Sequence, residues 1–177
     1  MYSWEMKSLS LQKSKHIGEI MIRQLRKKEV KTASDLGDSI YPDELGESLK
    51  SFENKFLFYP EGFLGYFVGK KLIGYIIGHP WKGEKVVPLD YLGKFPKNPD
   101  CFYVHDVAVN PSYRGKGYGK ELVKNIIIVG KKKGFKKFMF VAVNEIVRTL
   151  CENHGFVKVA DILYGHNVKS YKMMLNI

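Results

Sequence analysis

The feature that most constrains this chain is a glycine-rich loop, RGKGYGK at residues 114–120, set between an apolar segment and an amphipathic one. The preceding segment, Cys101–Val109, is rich in aromatic and β-branched residues and predicts a strand that Asn110-Pro111 ends. The following segment, 118–133, has an apolar stripe and predicts a helix, with Gly134 as its C-terminal cap. The chain must therefore fold so that a strand enters a helix through a tight glycine turn.

The loop itself predicts a binding site for a diphosphate. Its glycines, Gly115, Gly117 and Gly119, allow a tight turn and leave no side chains in front of the backbone N–H groups. Those groups, together with the positive end of the helix, form a cradle for phosphate oxygens. Further positive charge comes from Arg114, Lys116 and Lys120.

Two other phosphate-binding motifs do not fit the spacing. The Walker motif would place glycine at position 114 and Ser or Thr at position 121, where this chain has Arg114 and Glu121. The dinucleotide-binding fingerprint would place glycine at position 120, where this chain has Lys120. Neither a Walker-type nucleotide site nor a Rossmann dinucleotide site is therefore expected at this loop.

Length and composition limit the classes of protein to which the chain can belong. Its 177 residues, 45% of them hydrophobic and 27% charged, suit one folded domain. The net charge of +11 attracts polyanions such as nucleic acid, an anionic membrane or a phosphorylated cofactor, and does not choose among them. The longest apolar run near a helix, 126–129, is too short to span a bilayer. The N-terminus lacks the apolar stretch that a secretory signal would have.

The two cysteines, Cys101 and Cys151, predict neither a disulfide framework nor a zinc site, because no Cys-x-x-Cys and no Cys/His ligand spacing occurs. No metal is expected either, because no metal-ligand spacing occurs at His16, His79, His154 or His166. These observations favour a reducing, cytoplasmic location.

Hydrophobic patterning predicts the element order β-α-α-β-β-β-α-β-α-β-β, an α/β domain over residues 19–177 after a loosely ordered arm at 1–18. The predicted strands are 20–25, 63–68, 72–77, 101–109, 138–143, 156–163 and 170–175. The predicted helices are 29–39, a second one opened by Pro42, 118–133, and a short one capped by Asn144. The segment 79–100, with its prolines and glycines, predicts a long functional loop.

The segment from Tyr103 to Gly119, YVHDVAVNPSYRGKGYG, resembles the signature of the GNAT acetyltransferase superfamily. The core of that signature, R/Q-x-x-G-x-G/A, is met by Arg114, Gly117 and Gly119. A second family element, an asparagine after a strand and then a short helix ending in Gly-Phe, is met by Asn144 and Gly155-Phe156. The resemblance covers roughly residues 20–177 and implies the GNAT fold: a mixed, mostly antiparallel sheet, splayed between strands 4 and 5 and flanked by helices.

Within the superfamily the chain is most similar to the arylalkylamine (serotonin) N-acetyltransferase branch. The segments LGYF at 64–67 and LIGYIIGHPW at 72–81 resemble the second and third strands of that branch. The two histidines that the branch carries on its fourth strand, spaced H-x-H, correspond to Tyr103 and His105 here.

The resemblance implies that acetyl-CoA binds in the gap between the splayed strands. Backbone N–H groups of the glycine loop would hold the diphosphate, and the backbones of Val107 and Val109 would hold the pantetheine. The Val107 N–H would also stabilise the developing oxyanion, and Asn144 would contact the pantetheine from the other side. The implied cofactor-binding residues are Val107, Ala108, Val109, Arg114, Gly115, Lys116, Gly117, Tyr118, Gly119, Lys120 and Asn144.

The resemblance also implies direct attack of a neutral amine on the acetyl carbon, which requires a base. His105 is the expected base and Asp106 the alternative, although strict strand alternation would turn Asp106 away from His105. The tyrosine with which the family protonates the departing thiolate is replaced by Cys151, a weak donor or a space-filling residue. Tyr164 or Tyr171 would be other donors, or the thiolate leaves unassisted.

Three functions remain open from the sequence. The first is acetylation of a primary amine on a small molecule, for which a closed aromatic pocket is expected. The second is acetylation of a protein or peptide N-terminus, for which an open groove between the second helix and the last hairpin is expected. The third is a non-catalytic acyl-CoA-binding or nucleic-acid-binding module that uses basic residues such as 131–133 and 136–137. No membrane partner is expected, and the oligomeric state, a homodimer included, is left open.

Overall fold

The structure is a computed structural model, and it describes residues 18–177. Its centre is a seven-stranded sheet in the spatial order β1-β2-β3-β4-β5-β7-β6. The strands are β1 Ile20–Gln24, β2 Phe63–Val68, β3 Lys71–Trp81, β4 Cys101–Val109, β5 Lys137–Ala142, β6 Val157–Tyr164 and β7 Val168–Asn176. The α-helices are α1 Val30–Asp38, α2 Leu49–Phe58, α3 Tyr118–Lys132 and α4 Glu145–Glu152.

The sheet is antiparallel except at its centre, where β4 and β5 run parallel. Their pairing is short: it extends from Phe102 opposite Phe138 to Val104 opposite Phe140. Because β4 continues to Val109, its second half has no partner on the β5 side. The predicted α/β fold, with its element order and its splay between the fourth and fifth strands, is confirmed.

The two faces of the sheet carry different apolar cores. On one face, α3 buries Leu122 and Ile126 in a cluster with Ile73 and Ile76 of β3. On the other face, α1 and α2 pack on Tyr75 and its neighbours. A further cluster on this second face joins β4 and β5 to the connection before α2, the long loop 82–100 and the final hairpin. The splay is thus enclosed by elements that are far apart in the sequence.

Element boundaries differ from the sequence predictions where capping and pairing decide them. The second helix begins at Leu49 instead of following Pro42, because Ser48 accepts a hydrogen bond from the Ser51 N–H and caps it there. Strand β3 continues to Trp81, through Pro80, because β2 has stopped pairing at Ile77 and the proline lies where β4 is the only paired neighbour.

The predicted N-terminal arm, apart from Gly18, lies outside the described residues. Within residues 18–177, no helix combines the length and the apolar composition that crossing a membrane requires.

Candidate active site at the splay of strands 4 and 5

A β-bulge in β4 brings two titratable side chains to one face of the sheet. Opposite β3, Asp106 pairs with Ile77 and Val104 pairs with Gly78, so that His105 is an extra residue in the ladder. Strict alternation predicted that Asp106 would point away from His105. That prediction is wrong, because the bulge resets the alternation and both side chains line the same cavity.

This cavity lies beside the unpaired half of β4, and its empty space, including the part open to solvent, is about 540 Å³. Its polar wall consists of Asp38, Tyr41, Glu47, Tyr75, His105, Asp106 and Tyr164. Its apolar wall includes Leu45, Phe52, Leu89, Phe140, Val141, Val143 and Val147. Its side-chain charges come from carboxylates and from one histidine.

His105 is held by a buried ion-pair network. Its Nε2 lies 3.0 Å from both carboxylate oxygens of Glu47. The ammonium of Lys55 lies 2.9 Å and 3.1 Å from the same two oxygens and 2.5 Å from Ser51 Oγ. The side chains of Glu47, Lys55 and His105 are at most 5% exposed, and the backbone N–H of Asp90 also donates to Glu47, at 2.7 Å.

The network keeps Glu47 ionised. Burial raises its pKa, but the charges and hydrogen bonds of His105 and Lys55 outweigh burial and hold the pKa well below its usual range. A carboxylate at Nε2 fixes the proton of a neutral imidazole on that nitrogen. The other ring nitrogen, Nδ1, then carries the free lone pair, and it is buried without a hydrogen-bond partner among residues 18–177.

Asp106 is bound to two tyrosines. Its Oδ1 lies 2.6 Å from the Tyr41 hydroxyl and its Oδ2 lies 2.5 Å from the Tyr75 hydroxyl. The Tyr41 hydroxyl also lies 2.6 Å from the carbonyl oxygen of Val107. Burial raises the pKa of Asp106 above its usual value, although the tyrosine hydrogen bonds lower it in part.

The glycine loop presents open backbone at the start of α3. Gly115 has φ +77° and Gly117, the N-cap of α3, has φ +83°, and a Cβ added at either position would meet no atom within 4 Å. These left-handed conformations favour glycine. Gly119 differs, because a Cβ there would meet Leu150 and Val109 at ordinary contact distances. Arg114, Lys116 and Lys120 are exposed around the loop.

Alternate residues of β4 direct their backbone N–H and C=O groups toward the gap between β4 and β5. Asn110 N–H donates to Ile73 O at 2.8 Å, and two residues earlier Ala108 stands opposite Tyr75, so the polar backbone groups of Ala108 point to β3. Those of Val107 and Val109 therefore point to the uncovered β5 side. The side chains that bind them agree, since Tyr41 reaches Val107 O and Arg114 Nε donates to Val109 O at 3.1 Å.

Two other predicted site residues have structural roles. Asn144 caps α4, because its Oδ1 accepts a hydrogen bond from Val147 N–H at 2.9 Å. Cys151 is fully buried in the α3-side core and does not line the cavity. Burial raises the pKa of its thiol. The alternative donors are also engaged: the Tyr164 hydroxyl donates to Val87 O at 2.8 Å, and that of Tyr171 donates to Glu145.

The last hairpin is bonded to the segment that contributes Leu45 and Glu47 to the cavity wall. Its turn is bonded to the segment before α2, where His166 N–H donates to Glu44 O at 3.2 Å. Gly165 lies so close to this segment that a Cβ there would collide with Glu44 O. Ser48 holds the long loop by donating from its N–H and hydroxyl to Asp90 Oδ1, at 2.8 and 2.6 Å.

Four residues of the site, Glu47, Lys55, Tyr41 and Tyr75, were not predicted from the sequence. Glu47 is 58 residues from His105, and Tyr41 is 65 residues from Asp106. No local motif marks them. Among residues 18–177, no group of three His, Cys, Asp or Glu side chains is placed to hold a metal ion.

Comparison with known proteins gives one family. The sequence model of the acetyltransferase (GNAT) family matches residues 17–156. No curated protein matches the chain at a significant level.

Several solved structures share the fold over nearly their whole length. The NatC complex bound to Gag peptide and CoA has a TM-score of 0.73 and 20% identity, over 90% of this chain and 99% of that chain. Arabidopsis thaliana Naa50 in complex with the bisubstrate analogue CoA-Ac-MVNAL has a TM-score of 0.70 and 16% identity, over 89% and 99%. Mosquito arylalkylamine N-acetyltransferase like 5b has a TM-score of 0.69 and 16% identity, over 90% and 100%. These similarities show the fold and neither single out the arylalkylamine branch nor separate classes of acceptor.

Proposed function

The chain belongs to the acetyltransferase (GNAT) family, as its sequence predicted, and on that premise we propose that it transfers the acetyl group of acetyl-CoA to a primary amine of a small molecule. The observation that carries the acceptor class is the bridge between the final hairpin and the segment before α2, made by His166 N–H on Glu44 O. A bridge at this point suits a small amine, whereas a peptide N-terminus needs an open groove between these two elements.

The donor side of the gap fits coenzyme A. The uncovered N–H groups between Gly115 and Gly119, at the start of a 15-residue helix, suit a diphosphate. The backbones of Val107 and Val109 face the same gap and suit the amides of a pantetheine arm. When bound, acetyl-CoA supplies the acetyl group as an activated thioester. CoA or acyl-CoA is also bound in similar structures, including the NatC complex.

The acceptor side fits a cationic amine. An ammonium ion is attracted by Asp38, which is exposed and lines the cavity. The amine must lose a proton before its nitrogen can attack. We assign that proton to Nδ1 of His105, because Glu47 occupies Nε2 and Nδ1 has no other partner. Glu47 then stabilises the imidazolium that forms.

A competition assay tests the acceptor class. The full-length protein is given acetyl-CoA labelled in the acetyl group, together with an equimolar mixture of small primary amines and short peptides with free N-termini. Mass spectrometry then identifies the labelled products. We expect label on one or more small amines and none on the peptides. Label confined to peptides would overturn the proposal in favour of an N-terminal acetyltransferase, and no labelled amine of either kind would favour a non-catalytic acyl-CoA-binding module.

A reducing cytoplasm stays the proposed location of the protein. Both thiols are free, which supports it.

A further inference from the structure

The proposed reaction lacks an obvious proton donor. The leaving thiolate of coenzyme A gains a proton, and the residues expected to provide it are not available: Cys151 lies in the core, and Tyr164 donates to a backbone carbonyl. The Tyr41 hydroxyl, which no sequence motif marks, contacts β4 at the carbonyl oxygen of Val107. The hydrogen bonds around this hydroxyl require one more proton than the nearby phenols can supply.

The number of protons follows from three short oxygen–oxygen contacts. Tyr41 O contacts Val107 O and Asp106 Oδ1, each at 2.6 Å, and Tyr75 O contacts Asp106 Oδ2 at 2.5 Å. Each contact requires one proton between its two oxygens, since two lone pairs at this distance repel. The two phenols supply two protons. The carbonyl oxygen of Val107 has none, so the third must belong to the carboxyl of Asp106.

The three contacts therefore have one consistent arrangement. Tyr41 donates to Val107 O, Asp106 donates from Oδ1 to the Tyr41 oxygen, and Tyr75 donates to Asp106 Oδ2. Asp106 is then a neutral carboxylic acid. Its environment supports this state, because its carboxyl is buried and the ionised Glu47 lies in the same cavity.

The position of Tyr41 places its proton on the side of β4 where the thioester is proposed to bind. The Val107 carbonyl that it contacts points to the uncovered β5 side of β4, and so does the Val107 N–H. That N–H is the group proposed to face the thioester carbonyl. The Tyr41 hydroxyl is therefore on the side of the strand where the carbon–sulfur bond breaks.

We propose that Tyr41 is the catalytic proton donor to the departing sulfur and that neutral Asp106 returns the proton to Tyr41. The proposal rests on the proposed function. As the amine nitrogen bonds to the acetyl carbon, the carbon–sulfur bond breaks and its electron pair stays on sulfur. The Tyr41 proton moves to that sulfur, and the Asp106 proton moves to the Tyr41 oxygen. The amine nitrogen gives up two protons in all, one to His105 before it attacks and one as the amide forms. One of them restores Asp106 and the other leaves to solvent, so the protein ends the cycle with the protons with which it began.

Three single variants of the full-length protein test this relay. Asp106→Asn keeps the shape of the side chain and offers an NH₂ donor and a C=O acceptor, which is the hydrogen-bonding pattern of a neutral carboxyl group. Tyr41→Phe removes the donor itself. Tyr75→Phe is the matched control, because it removes a phenol from the same carboxyl without touching Val107.

The first measurement needs neither substrate nor activity. The infrared spectrum of the wild type minus that of Asp106→Asn, at pH 7 without acetyl-CoA, should show the carbonyl band of one protonated carboxyl group. Both proteins should melt at similar temperatures. A difference spectrum without that band would mean that Asp106 is ionised and would overturn the inference.

The second measurement is steady-state turnover with calorimetric binding of acetyl-CoA. Tyr41→Phe should lower kcat on the order of 10²-fold and leave the acetyl-CoA dissociation constant unchanged. Tyr75→Phe should lose much less. If the wild type turns over an amine and Tyr41→Phe keeps its kcat, this inference fails while the proposed function stands. If the wild type itself turns over no amine, the proposed function fails, and the infrared band still decides the state of Asp106.

Discussion

The donor side and the acceptor side of the splay are built from different parts of the polypeptide. On the proposed donor side, the groups that would bind acetyl-CoA belong mainly to the backbone of one continuous segment, from Val107 to Gly119, and the loop is exposed. On the acceptor side they are side chains from separate elements, such as Glu47, Lys55 and His105, and they are almost fully buried. The comparison shows how the proposed function assigns cofactor binding and proton transfer to two different parts of one domain.

The difference predicts different sensitivities to solution conditions. Exposed positive charges around a backbone cradle interact with phosphates through a field that salt screens. Buried titratable groups are shielded from salt and respond to pH instead. Variants on the donor side should therefore leave proton transfer unaffected, and variants on the acceptor side should leave acetyl-CoA binding unaffected.

The largest effect is expected on the acceptor side. His105→Gln removes the base and should lower kcat/KM on the order of 10²-fold, because the amine must then lose its proton to water. The affinity for acetyl-CoA, measured by calorimetry, should not change. His166→Gln is the matched control, since its side chain is exposed and its backbone N–H is retained. Near-native turnover of His105→Gln would remove His105 from the mechanism.

On the donor side, Gly117→Val should weaken acetyl-CoA binding roughly tenfold or more. A β-branched residue at φ +83° costs about 1–2 kcal/mol, and its side chain stands in front of the phosphate cradle. Gly134→Val separates these two causes, because Gly134 has φ +89° at the far end of α3 and an equally open Cβ position. It should lose stability but bind acetyl-CoA normally. Equal affinities in both variants would contradict the assignment of the loop.

Stability should depend on pH through His79, which is buried beside His105 with ring centroids 5.7 Å apart. Burial lowers the pKa of His79 from 6.5 to about 3. The unfolded chain therefore binds a proton below pH 6.5 that the folded protein does not bind, so stability is full above pH 6.5 and falls as pH decreases. The urea unfolding free energy should fall by about 1 kcal/mol per pH unit from this residue. His79→Phe should flatten that slope between pH 6.5 and 5, and an unchanged slope would show that His79 is solvated in the folded protein.

The smallest effect concerns charge around the loop. The acetyl-CoA dissociation constant should increase with salt, and Arg114→Ala or Lys120→Ala should each reduce that dependence, because both side chains are exposed near the proposed phosphate site. Lys169→Ala, an exposed lysine on β7, is the control and should leave the salt dependence unchanged. Isothermal titration over a salt series measures all three.

The two sides also differ in what their sequence reveals. The donor loop was predictable because glycine spacing, a strand end and a helix start lie next to one another in the chain, and the structure places each where the pattern indicated. The acceptor side was not predictable beyond His105. Glu47 and Tyr41 reach it through long-range packing, and the bulge that turns Asp106 onto the same face lies in a segment of β4, 104–106, that contains no glycine or proline.

The central claim is that the acceptor side, bridged by the final hairpin, admits a small amine and excludes a peptide. The most direct measurement compares kcat/KM, by release of the coenzyme A thiol, for a matched pair of acceptors: the small amine that the competition assay selects, and the same amine group carried at the N-terminus of a five-residue peptide. We expect turnover of the small amine and a much lower kcat/KM for the peptide, because the bonded β6–β7 turn and the segment before α2 block its backbone. An equal or higher kcat/KM for the peptide would contradict the account.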